Sequence, residues 1–187
     1  AYWAAGLYDQ ALLLHEQTLE LSRKILGPEH PGTLVSMGNL ASAYGDAGQR
    51  DKALQLHEHT LELMRKILGP EHPDTLKAMS NLANANAAVG QHNQALEVNE
   101  QTLALRRKIL GPEHPDTLMS MDNLAGAHWS LKKLEQSIPL FEETLRLRKT
   151  ILGADHPDTL LTTANLGVSY QDAGRLAEAL PLLEEAC

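Results

Sequence analysis

One interval runs through the whole sequence and limits what the chain can fold into. Segments resembling GPEHPDTL, the eight residues from Gly69 to Leu76, begin at four glycines that are separated by 42 residues each time. The same interval separates recurring threonines, isoleucines and asparagines at other positions of the repeat. We call the 42-residue repeat the frame, and residues that lie a multiple of 42 apart occupy the same frame position. Self-similarity at a fixed period of this length is typical of solenoids and related arrays, in which each repeat is one supersecondary unit.

Each repeat is predicted to contain two helices. Apolar and small residues follow helical spacing from Thr33 to Ala47, and a second helical pattern runs from about Arg50 to Leu68. The pair Gly48-Gln49 interrupts the pattern between them. The apolar face of the second helix is broad, which suits contact with its own partner on one side and with the next repeat on the other.

The GPEHPDTL segment is predicted to end one helix and begin the next. Gly69 can adopt the left-handed conformation that terminates a helix. Pro73 suits the first turn of the following helix, because its missing N–H would have no partner there. Asp74 then places negative charge near the positive end of that helix. The histidine and the acids of this segment are therefore interpreted as part of a helix boundary, not as catalytic groups.

A family resemblance rests on three features of each repeat. The sequence NLASAY from Asn39 to Tyr44, a glycine turn and the pair Ala53-Leu54 resemble tetratricopeptide repeats. The 42-residue interval and the junction RKILGPEHPDT, Arg65 to Thr75, are similar to the kinesin light chain type rather than to the usual form of about 34 residues. The resemblance implies an all-α, right-handed α-solenoid of antiparallel helix pairs over the whole chain.

The frame divides residues 1–187 into units of one tetratricopeptide array. Residues 1–26 are expected to form a truncated first repeat and residues 153–187 a truncated last unit. The three full units are expected at 27–68, 69–110 and 111–152. Because both end units are incomplete, and because a free-standing solenoid needs polar capping repeats, the chain is interpreted as a piece of a longer array.

Composition argues against several classes of partner. The net charge of −8 does not favour binding to a phosphate backbone, so no nucleic acid is expected. The sequence has no run of 18 apolar residues, so no membrane is expected. Cys187 is the only cysteine, which excludes a disulfide framework and a thiolate metal site and favours a reducing, cytoplasmic compartment.

No catalytic or metal-binding constellation is predicted. The segment HEHTL at His57 resembles the start of an HExxH zinc motif, but Leu61 replaces the second histidine, and the leading position becomes Asn99 and Phe141 in later repeats. The junction histidines should be too distant to share an ion, since packed helices lie roughly 8–10 Å apart and Zn–N bonds are about 2 Å long. Phosphate-binding loops and nucleophile elbows are absent from the sequence. We therefore expect neither an enzyme nor a metal or cofactor.

The resemblance also implies where a partner would bind. In tetratricopeptide arrays the first helices line a concave groove that binds peptides. In the kinesin light chain type, the asparagines of the NLA motif hold the backbone of the bound peptide, and an amide suits this role because it donates and accepts. The alternative is that each asparagine bonds the neighbouring repeat and holds the stack together. The candidate binding residues are Asn39, Asn81, Asn123, Asn165, Lys77, Asn84, Asp122 and Trp129.

Two further expectations concern the groove. Trp129 and Trp3 share one frame position, and a tryptophan exposed in a groove is a natural interface anchor; Trp129 is favoured because Trp3 lies in a truncated helix. Peptides of the kinesin light chain type carry a tryptophan flanked by acids. Lys77 is the only basic residue among the groove positions, which also hold three aspartates, so specificity for acidic peptides is not expected.

The expected function is a protein–protein interaction scaffold without catalysis, whose partner is a peptide or a protein segment held in the groove. Two alternatives stay open. Apolar helix faces at the two ends could stack end to end, which would make the array a self-assembling structural element. The array could also be the sensor or regulatory arm of a larger signalling protein.

Overall fold

The computed structural model describes residues 8–186, and this part of the chain contains nine α-helices and no β-strand. Trp3 and Cys187 lie outside the described residues. The helices are α1 (Tyr8–Leu26), α2 (Pro31–Asp46), α3 (Arg50–Ile67), α4 (Pro73–Ala88), α5 (His92–Leu110), α6 (Pro115–Ser130), α7 (Leu134–Ile151), α8 (Pro157–Asp172) and α9 (Leu176–Glu185).

The helices form two compact units, a first unit that ends at Val98 and a second unit that begins at Asn99. In the first unit α1 packs on α2, α2 on α3 and α3 on α4, and α2 also contacts α4. In the second unit α6 packs on α7, α7 on α8 and α8 on α9, and α6 also contacts α8. The short connections make consecutive helices antiparallel, so the first helices of neighbouring repeats lie side by side within each unit.

The junctions between repeats are built by their histidines. The side-chain Nδ1 of His72 accepts a hydrogen bond of 3.2 Å from the backbone N–H of Asp74, and Pro73 occupies the first turn of α4. The same cap recurs at the other three junctions. Gly69 has φ +92°, in the left-handed region. The predicted helix stop and helix start are therefore confirmed, although α2 begins at Pro31 and not at Thr33, because the cap precedes the proline.

The fourth repeat departs from the pattern without losing its helices. Lys132 stands where other repeats have a turn glycine, and it adopts φ 58°. Pro139 lies inside α7, which continues to Ile151. Ser137, at the position of the usual alanine, is fully buried and its hydroxyl donates 2.8 Å to the carbonyl of Ala125. This bond satisfies the only polar group that the replacement adds.

Candidate binding groove

The first helix of each pair presents one stripe of residues to solvent. In α2 the stripe consists of Val35, Asn39, Ser42 and Asp46, all exposed and spaced by four, three and four residues, which places them on one helix face. We call this set and its frame equivalents the exposed stripe. The equivalents, all exposed or half-buried, are Lys77, Asn81, Asn84 and Ala88 in α4, Met119, Asn123, Gly126 and Ser130 in α6, and Leu161, Asn165, Val168 and Asp172 in α8.

In the first unit the exposed stripe borders a cavity of about 350 Å³. We call it the α2–α4 cavity, since these two helices supply its walls and α3 supplies its floor. Small residues leave the space open: Gly45 lies on α2, Ala53 on α3, and Ala85 and Ala88 on α4. The polar residues that line it are Ser42, Asp46, Arg50, His57, Asn81 and Asn84.

His57 forms part of the floor of this cavity. It is 5% exposed, and its imidazole makes no hydrogen bond to any described residue of the first unit. Burial lowers its pKa, so the imidazole is neutral near pH 7. A neutral imidazole carries one donor and one acceptor. The cavity therefore has a buried polar group at its base that the first unit leaves available.

Asn81 and Asn84 place two amides at the side of the cavity. Asn81 is half-buried and Asn84 is exposed, and neither side chain makes a hydrogen bond within the first unit as described. Each amide can donate two hydrogen bonds and accept two. This pair of candidate residues shares one face of α4, and the packing of α2, α3 and α4 places that face next to a concave space.

The remaining asparagines of the frame differ in exposure. Asn39 is exposed, and Asn123 and Asn165 are half-buried. The amide of Asn39 makes no hydrogen bond to α4, and that of Asn123 makes none to α8, among the residues described in their units. The backbone carbonyl of Asn123 does accept a bond of 3.4 Å from the amide of Asn99. At Asn39 and Asn123 the structure therefore favours the first alternative, in which the amide is available to a ligand, over the second, in which it bonds the neighbouring repeat.

Asp122 is held inside the second unit by an ion pair. Its Oδ2 lies 2.8 Å from Nη2 of Arg148, and the two side chains are only 11% and 5% exposed. Thr162 is within 3.0 Å of the same oxygen and also within 3.0 Å of the Arg148 guanidinium. Burial raises the pKa of Asp122 to about 6, although Arg148 and Thr162 act in the opposite direction. This carboxylate joins α6, α7 and α8.

Trp129 is also engaged with its own unit. Its indole N–H donates 3.0 Å to Oδ2 of Asp172, and the ammonium of Lys132 lies 3.2 Å from the same oxygen and 5.2 Å from the ring centroid. The indole is half-buried. We call these three residues the Trp129 cluster. They hold the C-terminal end of α6 against that of α8.

These contacts change the charge of the candidate binding residues. In the second unit Asp122 and Asp172 are paired with Arg148 and Lys132. Lys77 is exposed and makes no ion pair within the described part of the first unit. The acidic excess expected from counting residues is therefore smaller in the folded protein.

Sequence reasoning missed two contributors to this region. His57 was considered only as a fragment of a zinc motif, yet the drift from histidine to Asn99 and Phe141 at one frame position is a signal that this position borders a variable space. Arg148 was not singled out, because its partner lies on another helix. Among residues 8–186, no group of three or more histidine, cysteine, aspartate or glutamate side chains could hold a metal ion. No helix in that range is long and apolar enough to cross a membrane.

The paired helices, capped junctions and exposed stripe define a helical-hairpin repeat protein. The tetratricopeptide repeat family matches residues 1–66, 44–108, 78–150 and 122–187, and the chain belongs to this family. The prediction of an all-α solenoid of antiparallel helix pairs is thereby confirmed. Members of this family are in general scaffolds for protein interaction.

Crystal structures place the repeats among those of the kinesin light chain type. Two structures of nearly identical TPR-like repeats from a Podosopora anserina protein described as a kinesin light chain are 34% identical to this chain. They have TM-scores of 0.85 and 0.83, and the match covers 99% of this chain and 87% and 88% of theirs. No curated protein sequence matches the chain significantly.

A more distant structure shares the fold alone. The Rap protein complexed with Competence and Sporulation Factor is 12% identical, with a TM-score of 0.80 over 99% of this chain and 50% of that one.

Proposed function

We propose that the chain is a non-catalytic scaffold, a single array of 42-residue repeats that binds a peptide or a protein segment along its exposed stripe. The observation that carries the proposal is the α2–α4 cavity, where the amides of Asn81 and Asn84 have no partner in their own unit. Both amides are open to the cavity, so a partner that enters it can bond them without displacing a bond of the first unit. The backbone of a partner segment has a C=O that can accept from the NH₂ of an asparagine and an N–H that can donate to its oxygen.

The proposed mechanism separates two tasks. Amides of the stripe, Asn39 and Asn81 above all, bond the backbone of the partner segment, while the cavity takes a side chain. Lys77 belongs to the same stripe of the first unit, and Asn123 and Asn165 occupy the corresponding positions in the second unit. Asp122 and Trp129 contribute by keeping α6 and α8 in register, since their polar groups are already paired. The proposed compartment is cytoplasmic and reducing, which the single cysteine supports.

Net charge is not expected to select the partner. Lys77, Arg50 and Asp46 are all exposed in the first unit, and they carry both signs. Exposed charges are solvated and contribute little to affinity individually. Selection is therefore assigned to hydrogen bonding and shape, and the partner class is a neutral or mixed-charge protein segment, not a nucleic acid or a membrane.

A peptide array followed by fluorescence polarisation tests the proposal. Asn81→Ala and Asn84→Ala should each lower the binding affinity of the segments that the array identifies by about fivefold to tenfold. Each substitution removes hydrogen bonds worth about 1 kcal/mol. Asn93→Ala is the matched control, since Asn93 is exposed on α5 and lies outside the cavity. Affinities unchanged in both cavity variants would reject the groove as the binding site.

A second candidate function is end-to-end self-association, which exposed leucines favour. Leu180 of α9 is 58% exposed, whereas its frame equivalents Leu54, Leu96 and Ile138 are 8%, 9% and 6% exposed. Leu21 of α1 is 56% exposed, whereas its frame equivalent Leu147 is 7% exposed and Leu63 and Leu105 are half-buried. Inside the chain the corresponding helix faces are covered by a neighbouring repeat, whereas on α1 and α9 they are exposed. Heterologous contacts of this kind generate open filaments when they do not close.

Light scattering of the 187-residue chain over a range of concentrations tests this candidate. The mean mass should rise with concentration, and Leu180→Glu should suppress the rise. Gln171→Glu adds the same charge at an exposed position of α8 and serves as a control for a simple change of charge. A constant monomer mass at all concentrations rejects self-association and leaves groove binding untouched.

A further inference from the structure

The floor of the α2–α4 cavity has a chemistry that the exposed stripe does not share. His57 is more than nine-tenths buried, lines the cavity and has no hydrogen-bond partner among the described residues. Because burial lowers its pKa, the imidazole is uncharged near neutral pH and offers one donor and one acceptor. No described residue bonds this imidazole, so it is available to a ligand atom that enters the cavity.

The walls above His57 are small and largely apolar. Ala41 and Gly45 on α2 face Ala85 and Ala88 on α4 across the cavity. Its volume of about 350 Å³ lies at the lower end of the range typical of ligand sites, and suits one side chain rather than a folded domain. The only charged residues that line it, Asp46 and Arg50, are exposed at its rim and have opposite signs.

The second unit fills the corresponding positions with its own side chains. Phe141 stands at the frame position of His57 and is buried in a cluster with Leu166 and Tyr170. Trp129 stands at the position of Gly45. The repeat scaffold therefore tolerates a large apolar residue at both positions, and the first unit has instead a polar floor beneath small walls. The combination distinguishes α2 and α3 from α6 and α7.

We propose that the α2–α4 cavity is an anchor site for one partner side chain that has an apolar body and an uncharged tip able to donate and accept, namely a carboxamide or a hydroxyl. The proposal rests on the proposed function, because the side chain belongs to the segment that the exposed stripe holds. His57 is its specificity-determining residue, and the amides of Asn81 and Asn84 hold the adjoining backbone.

Charged tips are excluded by the same floor. A carboxylate only accepts hydrogen bonds and an ammonium only donates them, so each leaves one atom of the His57 imidazole unmatched. Neither finds a counter-charge at the floor, and burial of an unpaired charge is strongly unfavourable. A purely apolar tip fits the walls but leaves both atoms of the imidazole unsatisfied. Glutamine, asparagine and tyrosine side chains meet both requirements.

Pairs of fragments that differ only at the tip test this assignment on the full 187-residue chain. Butyramide is compared with butyrate, and p-cresol with toluene, by following the backbone amide NMR resonances of Asn81 and Ala85 during titration at pH 7.5. Butyramide and p-cresol should bind saturably. Butyrate and toluene should each bind at least about tenfold more weakly, as expected when a buried hydrogen bond is lost. Equal affinities within either pair would overturn the proposal.

Two substitutions drawn from the chain's own frame provide matched variants. His57→Asn installs the residue found at Asn99 and keeps a donor and an acceptor, so it should retain butyramide binding within about threefold. His57→Phe installs the residue found at Phe141 and should abolish the preference for butyramide over butyrate. Circular dichroism confirms that both variants keep their helices. A preference that survives in His57→Phe would overturn the role of His57.

The outcome is separable from that of the proposed function. If the affinity of the array peptides falls in Asn81→Ala but is unchanged in His57→Phe, the groove is confirmed and the anchor site is rejected. Fragment selectivity that depends on His57, in a chain that binds no array peptide, would confirm the site and reject the groove as a peptide-binding surface.

Discussion

The indole N–H of Trp129 donates a 3.0 Å hydrogen bond to Asp172, and these two residues occupy the frame positions of Gly45 and Ala88. In the first unit Gly45 and Ala88 line the α2–α4 cavity. In the second unit a ring and a carboxylate join the two helices at the same positions, and Lys132 neutralises the carboxylate. One frame thus produces an open site in one unit and a bridged site in the other.

Removing the ring should expose the second unit's version of the site. Trp129→Ala, which installs the residue found at Ala87, should lower the free energy of unfolding by about 1–3 kcal/mol, because a half-buried indole and its hydrogen bond are lost. Free indole should restore part of this loss, since it matches the shape removed. Urea denaturation with and without indole measures both effects. If indole stabilises the wild-type chain as much as the variant, the ring does not occupy a discrete site.

The buried ion pair should matter more than any exposed pair. Arg148→Met installs the residue found at Met64 and leaves Asp122 without its counter-charge, so the free energy of unfolding should fall by about 3–5 kcal/mol. The double variant Asp122→Ser with Arg148→Met should recover most of the loss, because no unpaired charge remains. Chemical denaturation measures the two variants beside Arg146→Met, an exposed residue of the same helix. A loss below about 1 kcal/mol for Arg148→Met would show that the pair is solvated.

The pH dependence of stability should carry a contribution from Asp122. Burial raises its pKa from 3.8 to about 6, so the folded state holds this proton at pH values where the unfolded chain has lost it. Its contribution to the free energy of unfolding is therefore largest below pH 3.8 and falls as the pH rises through 6. Subtracting the profile of Asp122→Asn from that of the wild type, by urea denaturation from pH 4.5 to 7.5, isolates this slope. A difference that rises with pH over this interval would mean that Arg148 outweighs burial.

The junction histidines should act as helix caps and not as ligands. His72→Ala removes the acceptor for the Asp74 N–H and should lower the free energy of unfolding by about 1 kcal/mol, whereas His72→Asn should keep most of the stability. His59→Ala, at an exposed position of α3, is the control. Thermal and urea denaturation measure the free energy of unfolding of these variants. A variant at His72 that is no less stable than the control would show that Pro73 alone starts the helix.

Local signals in the sequence were sufficient for the repeat architecture. A left-handed glycine such as Gly69 and a first-turn proline such as Pro73 act within a few residues of themselves, and the interval of 42 residues copies them along the chain. The number, order and type of the helices therefore followed from spacing alone. The apolar pattern of α2 begins only at Thr33, and it is the junction proline that marks the start of the helix at Pro31.

The candidate site was only partly accessible to the same reasoning. The helix period placed Asn81 and Asn84 on one exposed face, and the structure puts both beside a cavity. Asp122 was expected on that face too, yet its carboxylate is turned into an ion pair with Arg148, 26 positions along the chain on another helix. Spacing reports which residues share a helix face, but it does not report which side chain of a neighbouring helix meets them.

The sequence by itself determined the repeat frame, the helix pairs and the stripe of asparagines, since these depend on backbone conformation and periodicity. Only the tertiary structure decided which frame positions became an open cavity and which became bridged. That outcome depends on the volumes and charges of side chains that meet across helices, such as Gly45 with Ala88 or Trp129 with Asp172. Close packing responds to each of those residues individually, so identical frames yield different surfaces.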